Sequence, residues 1–234
     1  MAIGLARMVG IRFPLNFDSP YKAASLIDFW RRWHMTLSRF LREYLYFPLG
    51  GNRKGRLRRY VNLMITMLLG GLWHGAGWNF VVWGGLHGLG LVVNHAWQRF
   101  AHPRGRALPK AAAIALTLLF VVLAWVPFRA ENLTASVSLW ASMAGLNGWW
   151  PAKSVLAGQM IAGVLWVTTT LLWALFAPNT QQVLANRGGI EDESGASLAW
   201  RPNPGWAAAA GIVFGVALSR ILGNGPSEFL YFKF

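Results

Sequence analysis

The sequence predicts an all-α, polytopic helical membrane protein, with about five membrane helices and further amphipathic helices lying at the interface. Three observations carry that prediction. Apolar residues make up 55% of the 234 residues and charged residues only 13%, outside the usual composition of a soluble domain. Residues 60–98 contain no Lys, Arg, Asp or Glu, enough helix at 1.5 Å per residue to cross a ~30 Å hydrocarbon layer nearly twice. The 14 Trp stand largely beside apolar runs, where an amphipathic ring suits the headgroup boundary. Residues 1–234 read as a single membrane domain.

Charge and cysteine content narrow the chemistry. With no Cys there is no disulfide framework, no thiolate nucleophile and no Cys-ligated metal. The net charge of +14 is concentrated at Arg31, Arg32, Arg39, Arg42, Arg53, Lys54, Arg56, Arg58 and Arg59, opposed in that stretch by Glu43. Beside membrane spans, such a run marks a cytoplasmic face in contact with anionic membrane lipid rather than a nucleic-acid surface. It would also attract an anionic donor such as a nucleotide-bearing thioester.

In chain order, residues 1–20 are too short to span, and Arg7 and Arg12 interrupt any signal-peptide core. Ser25 and Asp28 form a capping pattern. The helix that follows has Trp30, Trp33, His34, Leu37, Leu41, Tyr44 and Leu45 on one face and Arg32, Met35, Arg39 and Arg42 on another, so residues 25–47 read as one interfacial basic helix. His34 falls on its apolar face. Pro48 ends it, and Leu49-Gly50-Gly51-Asn52-Arg53 reads as a turn with positive-φ positions.

Residues 60–98 read as a helical hairpin. Gly70, Gly71, Gly75 and Gly77 make its centre a poor continuous helix, each costing about 1 kcal/mol relative to Ala. His74 sits at that break, at membrane depth. Two readings stay open on the residues alone: a functional group lining a cavity, or a core histidine satisfied by a carbonyl that the break exposes. Gly84-x-x-x-Gly88 gives the second helix a close-packing face, and His87 beside it reads as structural, with a partner from a neighbouring helix. Basic residues flank the block on both sides, Arg99, Arg104, Arg106 and Lys110 following it, so both ends belong on the cytoplasmic side.

Residues 111–128 form the next span, and 133–146 a shorter interfacial or partly inserted helix followed by Trp149-Trp150-Pro151. Residues 155–177 span and stop at Pro178. Residues 179–204 form a polar loop. The last span, 206–222, carries Ala207, Gly211, Gly215 and Ser219 at four-residue steps, a packing face. Residues 227–234 then lie outside the cytoplasm.

Serine-hydrolase, glycosidase and zincin chemistry lack their motifs here. Histidine remains. A neutral imidazole can take the proton from a hydroxyl as it attacks a thioester, a contribution of roughly 10²–10⁴ in rate, with neither cofactor nor metal.

Three motifs in order, Asp28-Phe29-Trp30-Arg31-Arg32-Trp33-His34-Met35-Thr36-Leu37-Ser38, Tyr44-Leu45-Tyr46-Phe47-Pro48-Leu49-Gly50-Gly51-Asn52-Arg53 and Gly71-Leu72-Trp73-His74-Gly75-Ala76-Gly77-Trp78, resemble the membrane-bound O-acyltransferase (MBOAT) family, and within it the bacterial alginate O-acetyltransferase branch. The similarity covers residues 1–97 and returns at 227–234. It implies that His74 matches the family's catalytic histidine and His34 the second position of its active-site pair. It implies acetyl-CoA as the cytoplasmic acyl donor, an exported polysaccharide as eventual acceptor, periplasmic polysaccharide-acetylation proteins as partners, and a multi-pass location in the bacterial inner membrane. Family members are about twice this long, so the chain is expected to correspond to a C-terminal portion. The rival expectations are a non-catalytic truncated membrane fragment, or an enzyme of the same family acting on another acyl donor or polymer, such as D-alanyl transfer.

Overall fold

The computed structural model describes residues 2–101, 108–148, 157–184 and 203–223. The α-helices among them are α1 (Ala2–Met8), α2 (Leu26–Arg32), α3 (Met35–Leu41), α4 (Arg56–Trp73), α5 (Trp78–Ala101), α6 (Lys110–Arg129), α7 (Leu133–Met143), α8 (Ala157–Phe176), α9 (Thr180–Leu184) and α10 (Pro204–Gly223), and the described residues contain no strand. Contacts divide the chain into Met1–Leu175 and Phe176–Phe234. Arg104, Arg106, the Trp149-Trp150-Pro151 motif, most of the polar loop and residues 227–234 lie outside the described residues.

Helix starts follow the polar side chains. Ser25 Oγ accepts from the Asp28 backbone N–H at 3.1 Å, and Asp28 Oδ2 reaches back to the Ala24 N–H at 3.4 Å, a near-reciprocal cap. Asn132 and Asn203 cap α7 and α10 in the same way, accepting from Ala135 and Trp206 N–H groups at 2.8 and 2.9 Å. At α9, Asn179 and Gln182 cap each other.

The expected continuous helix over residues 25–47 is corrected to three pieces. α2 stops at Arg32, His34 turns left-handed, α3 follows, and a π-helical turn over Arg42–Tyr46 leads into the Gly50-Gly51 turn. Both glycines have positive φ, 106° and 53°, as the turn chemistry requires. Buried Asn62 on α4 holds that turn, its Nδ2 donating to the Gly51 carbonyl at 2.9 Å.

The α4–α5 hairpin forms as expected, but its glycines divide the work differently. Gly70 and Gly71 remain helical, and only residues 74–77 make the bend. Gly71 and Gly84 instead allow backbone to touch backbone: a Cβ at Gly71 would collide with the Phe80 carbonyl oxygen, and one at Gly84 with that of Met67. A Cβ at Gly88 would sit 2.9 Å from Met64 Sδ. The Gly84-x-x-x-Gly88 face is therefore the seam against α4.

α2 lies against this hairpin and α6. Phe29, Trp30, Trp83, Leu91 and Val121 form the buried centre, and the Ile27 N–H donates to Asn94 Oδ1 of α5 at 3.1 Å. His87 is fully buried among Phe29, Trp30, Trp83 and Phe120. The expected partner from a neighbouring helix is absent among the described residues, since neither ring nitrogen is hydrogen-bonded; the contacts around it are aromatic rings, which carry no acceptor in the plane of the imidazole.

Among the described residues, one helix, Lys110–Arg129, has the length and mean hydropathy, 2.4, to cross a bilayer. α4 and α5 are 18 and 24 residues long but dilute their apolar side chains with Asn, His, Gly and terminal Arg. Pro127 near the end of α6 has no N–H for the Leu123 carbonyl. The Trp140 indole of α7 donates to that oxygen instead, at 3.0 Å. In α8, Ile161, Val164, Leu165, Trp166 and Val167 are all exposed, an apolar surface all round the helix, as a lipid-facing helix has.

The seam yields a paired test. Gly84→Ala is expected to lower stability by about 1–3 kcal/mol through overpacking. Gly85→Ala, whose Cβ would meet Leu68 Cδ2 at an ordinary 3.7 Å, should be neutral or gain up to about 1 kcal/mol. Thermal unfolding midpoints in detergent, compared between the two variants, check the sign.

Candidate active site

Two breaks in the helical backbone carry the two candidate imidazoles, near enough for the charge of one to act on the other. His74 caps the C-terminus of α4, its N–H donating to the Gly71 carbonyl at 2.9 Å. Its ring is half-buried and clasped by aromatics from two other stretches of chain: Trp83 edge-on at 5.2 Å, Phe128 edge-on at 5.1 Å and Phe80 at 6.5 Å. Asn79 Nδ2 donates to the Ala130 carbonyl at 2.6 Å. That bond ties the first turn of α5 to the last turn of α6, which is why Phe128 reaches the ring.

His34 arrives from α2. Its φ and ψ of 46° and 52° are left-handed, a conformation that costs a non-glycine residue roughly 1–2 kcal/mol and persists where the surroundings over-determine it. Those surroundings are Asn16 and Trp33. Asn16 accepts from the Met35 N–H through its carbonyl at 2.9 Å, and from the Thr36 N–H and hydroxyl through Oδ1 at 3.1 and 2.9 Å. Ser38 Oγ donates to the Trp33 carbonyl at 3.2 Å. Trp33 in turn stacks on Phe29 at 5.5 Å and meets Trp125 of α6 at 5.3 Å. The placement on a helix's apolar face expected from the spacing is thus corrected: His34 belongs to neither helix and stands at the junction.

The His34 ring is half-buried, with Nδ1 enclosed and carrying no hydrogen bond among the described residues, and Phe17 lies 6.0 Å away. Burial pushes its pKa below the ordinary histidine value, because desolvation disfavours the charged ring. The two imidazoles are near enough that a charge on His34 acts on His74. A neutral imidazole can accept a proton and return it. Asn16, Trp83 and Phe128 were not marked by any sequence motif; only the fold brings them here. Among the described residues no cluster of His, Asp and Glu could hold a metal ion.

Comparison with known proteins places the chain in a family. The model of the membrane-bound O-acyltransferase family, MBOAT, matches residues 1–137. A peptidoglycan O-acetyltransferase of Helicobacter pylori is 52% identical over 148 residues, which is 63% of this chain and 28% of that protein. A probable alginate O-acetylase, AlgI, of Pseudomonas putida is 37% identical over 246 residues, covering 100% of this chain and 49% of its own length. A teichoic acid D-alanyltransferase of Streptococcus thermophilus is 36% identical over 105 residues, 42% of this chain and 25% of that protein. The chain spans about half or less of the length of these curated relatives.

The burial of His34 fixes a sign. With its folded pKa below the unfolded value of about 6.5, the unfolded chain binds more protons between the two values. His34's contribution to stability is therefore full above about 6.5 and lost as pH falls through the folded pKa. Ring-proton NMR of labelled histidine should show His34 titrating below 6.5, and His34→Gly should remove that acid dependence while relieving the left-handed strain.

Proposed function

The chain belongs to the membrane-bound O-acyltransferase family, and from that premise we propose that it carries the reacting centre for moving an acetyl group from a cytoplasmic thioester to a hydroxyl. The observation that supports this reading is the position of His74 and His34 at two helix breaks, near enough for the charge of one to act on the other and each flanked by aromatic rings. His74 acts as general base: it takes the proton of the acceptor hydroxyl as that oxygen attacks the thioester carbonyl. The C–S bond then breaks, and the imidazolium returns the proton to the departing sulfur. His34, held by Asn16, orients or polarises the reacting groups. No resident cofactor is needed, and acetyl-CoA is the donor that fits.

Family proteins are membrane-bound, and the basic flanks of residues 60–98 support a hairpin that starts and ends at the cytoplasmic face of a bacterial inner membrane. α4 to α6, α8 and α10 are the five proposed crossings. The relatives' names favour a cell-envelope polymer as acceptor, alginate-type exopolysaccharide first, served through periplasmic partner proteins. The same pair of histidines would serve a D-alanyl donor, which the relatives named for teichoic acid keep in view.

His74→Ala is expected to reduce acetyl transfer by at least about 10²-fold while leaving the helical circular dichroism of the purified protein unchanged. Near-normal turnover in that variant would remove His74 from the chemistry. Absence of turnover in wild type and variant alike, with either acetyl-CoA or a carrier-bound acyl donor, would favour a non-catalytic role for this chain.

A further inference from the structure

Among the described residues two residues other than glycine take left-handed backbone, Ser19 with φ of 45° and His34 with φ of 46°. Both belong to one piece of structure. A strap of residues 16–18 crosses the break between α2 and α3, Ser19 ends the strap, and His34 is the residue that the strap brackets. Strained backbone of this kind persists where its surroundings hold it and clusters at functional sites.

Hydrogen bonds close the bracket on both sides of His34. On the α2 side the Asp18 N–H donates to the Arg32 carbonyl at 2.9 Å, one of the carbonyls that a helix end leaves without an internal partner. On the α3 side the Met35 N–H donates to the Asn16 carbonyl at 2.9 Å, and the Thr36 N–H and hydroxyl donate to Asn16 Oδ1 at 3.1 and 2.9 Å. The Arg32 side chain ties the strap to α2. Its Nε donates to Asp28 Oδ1 at 2.9 Å, and its Nη1 donates to the Asp18 carbonyl at 3.4 Å and lies 3.8 Å from the Asp18 carboxylate.

The residue at a helix N-cap ordinarily satisfies one of the first N–H groups with its own side chain. His34 holds the N-cap of α3 and its side chain makes no such bond; Asn16 makes it from the strap. An imidazole released from capping keeps its ring for the site. Nothing local makes the break, because residues 26–47 contain neither Gly nor Pro and their apolar spacing runs through His34. Without the strap the segment has the pattern of one continuous helix, and His34 would take its place in that helix.

We propose that Asn16 and Arg32 are positioning residues for His34: the strap they hold caps both helix ends across the break, so that the His34 ring faces the reacting groups rather than its own backbone. Both act through the backbone on either side of His34 and take no part in the bond changes. Their service to the chemistry rests on the transferase reading.

Histidine-selective ring NMR of the purified full chain in detergent, with hydrogen exchange of its amides, tests this. Asn16→Ala should speed exchange at Thr36 about tenfold, the loss of one net hydrogen bond, and move the His34 ring signal while that of His95 stays. Asn16→Asp, which keeps the accepting oxygen, should restore both. Thr36→Val, losing the hydroxyl donor alone, should move the His34 signal less and in the same direction, and it serves if Asn16→Ala does not fold. Arg32→Gln should also move it. In acetyl transfer, Asn16→Ala should lower kcat about tenfold to hundredfold, as misplacement of a reacting group does, with KM little changed and Asp again restoring it. A His34 signal that stays in place in Asn16→Ala or, if that variant does not fold, in Thr36→Val overturns the proposal. So does a common movement of all histidine signals that Asn16→Asp does not restore, since that marks a merely structural role. A moved ring with unchanged kcat overturns it as well. Ring movement restored by Asp in a chain with no transfer would sustain the positioning and remove the transferase reading alone.

Discussion

The structure depends on backbone meeting backbone along α4 and α5. Where Gly71 faces the Phe80 carbonyl and Gly84 faces that of Met67, no side chain separates the helices. In a lipid environment apolar side chains gain little by leaving hydrocarbon for protein, so close van der Waals approach is what holds two helices together. That approach sets the width of the hairpin at both ends. At one end it brings Arg59 within hydrogen-bond reach of His95, and at the other it places Trp83 against His74. Larger residues at the seam would separate both pairs at once.

Much of this was legible in the sequence, and the reasons differ by element. The hairpin was legible because an uncharged stretch of that length has few alternatives, and the small-residue spacing in α5 was legible because close contact needs it. Caps at Ser25 and the Gly50-Gly51 turn were legible because their chemistry is local. The break at His34 was not. Trp33-His34-Met35 contains no glycine or proline, and the apolar spacing runs through it without interruption. The left-handed turn is imposed by Asn16, eighteen residues upstream, and by rings of α6, neither of which a periodicity can reveal. The glycine cluster misled in a milder way. It correctly located a bend, yet two of those glycines stay helical and serve packing rather than chain reversal, Gly71 against α5 and Gly70 against Leu41 of α3.

The candidate site follows the same division. A histidine at membrane depth is conspicuous in a sequence, so His74 stood out, whereas His34, read on an interfacial helix, was singled out only by the family resemblance of the motifs. What surrounds them did not stand out, because Trp83 and Phe128 belong to helices whose apolar residues all look alike in one dimension. The environment matters to the chemistry. Aromatic edges around an imidazole offer no competing hydrogen bond and remove part of its water, which disfavours the charged ring. His87 shows the same surroundings carried to completion, with no opening to substrate at all.

Pro127 gives α6 a carbonyl that its own helix cannot satisfy, and Trp140 of α7 occupies it. The residue after Pro127 is Phe128, whose ring bears on His74. A short helix with no residue in the site is thus fastened one turn from an imidazole contact. The edge that Phe128 turns toward His74 is held partly by a helix that never meets the imidazole, and a shift of α7 would be felt at that ring through a single indole hydrogen bond.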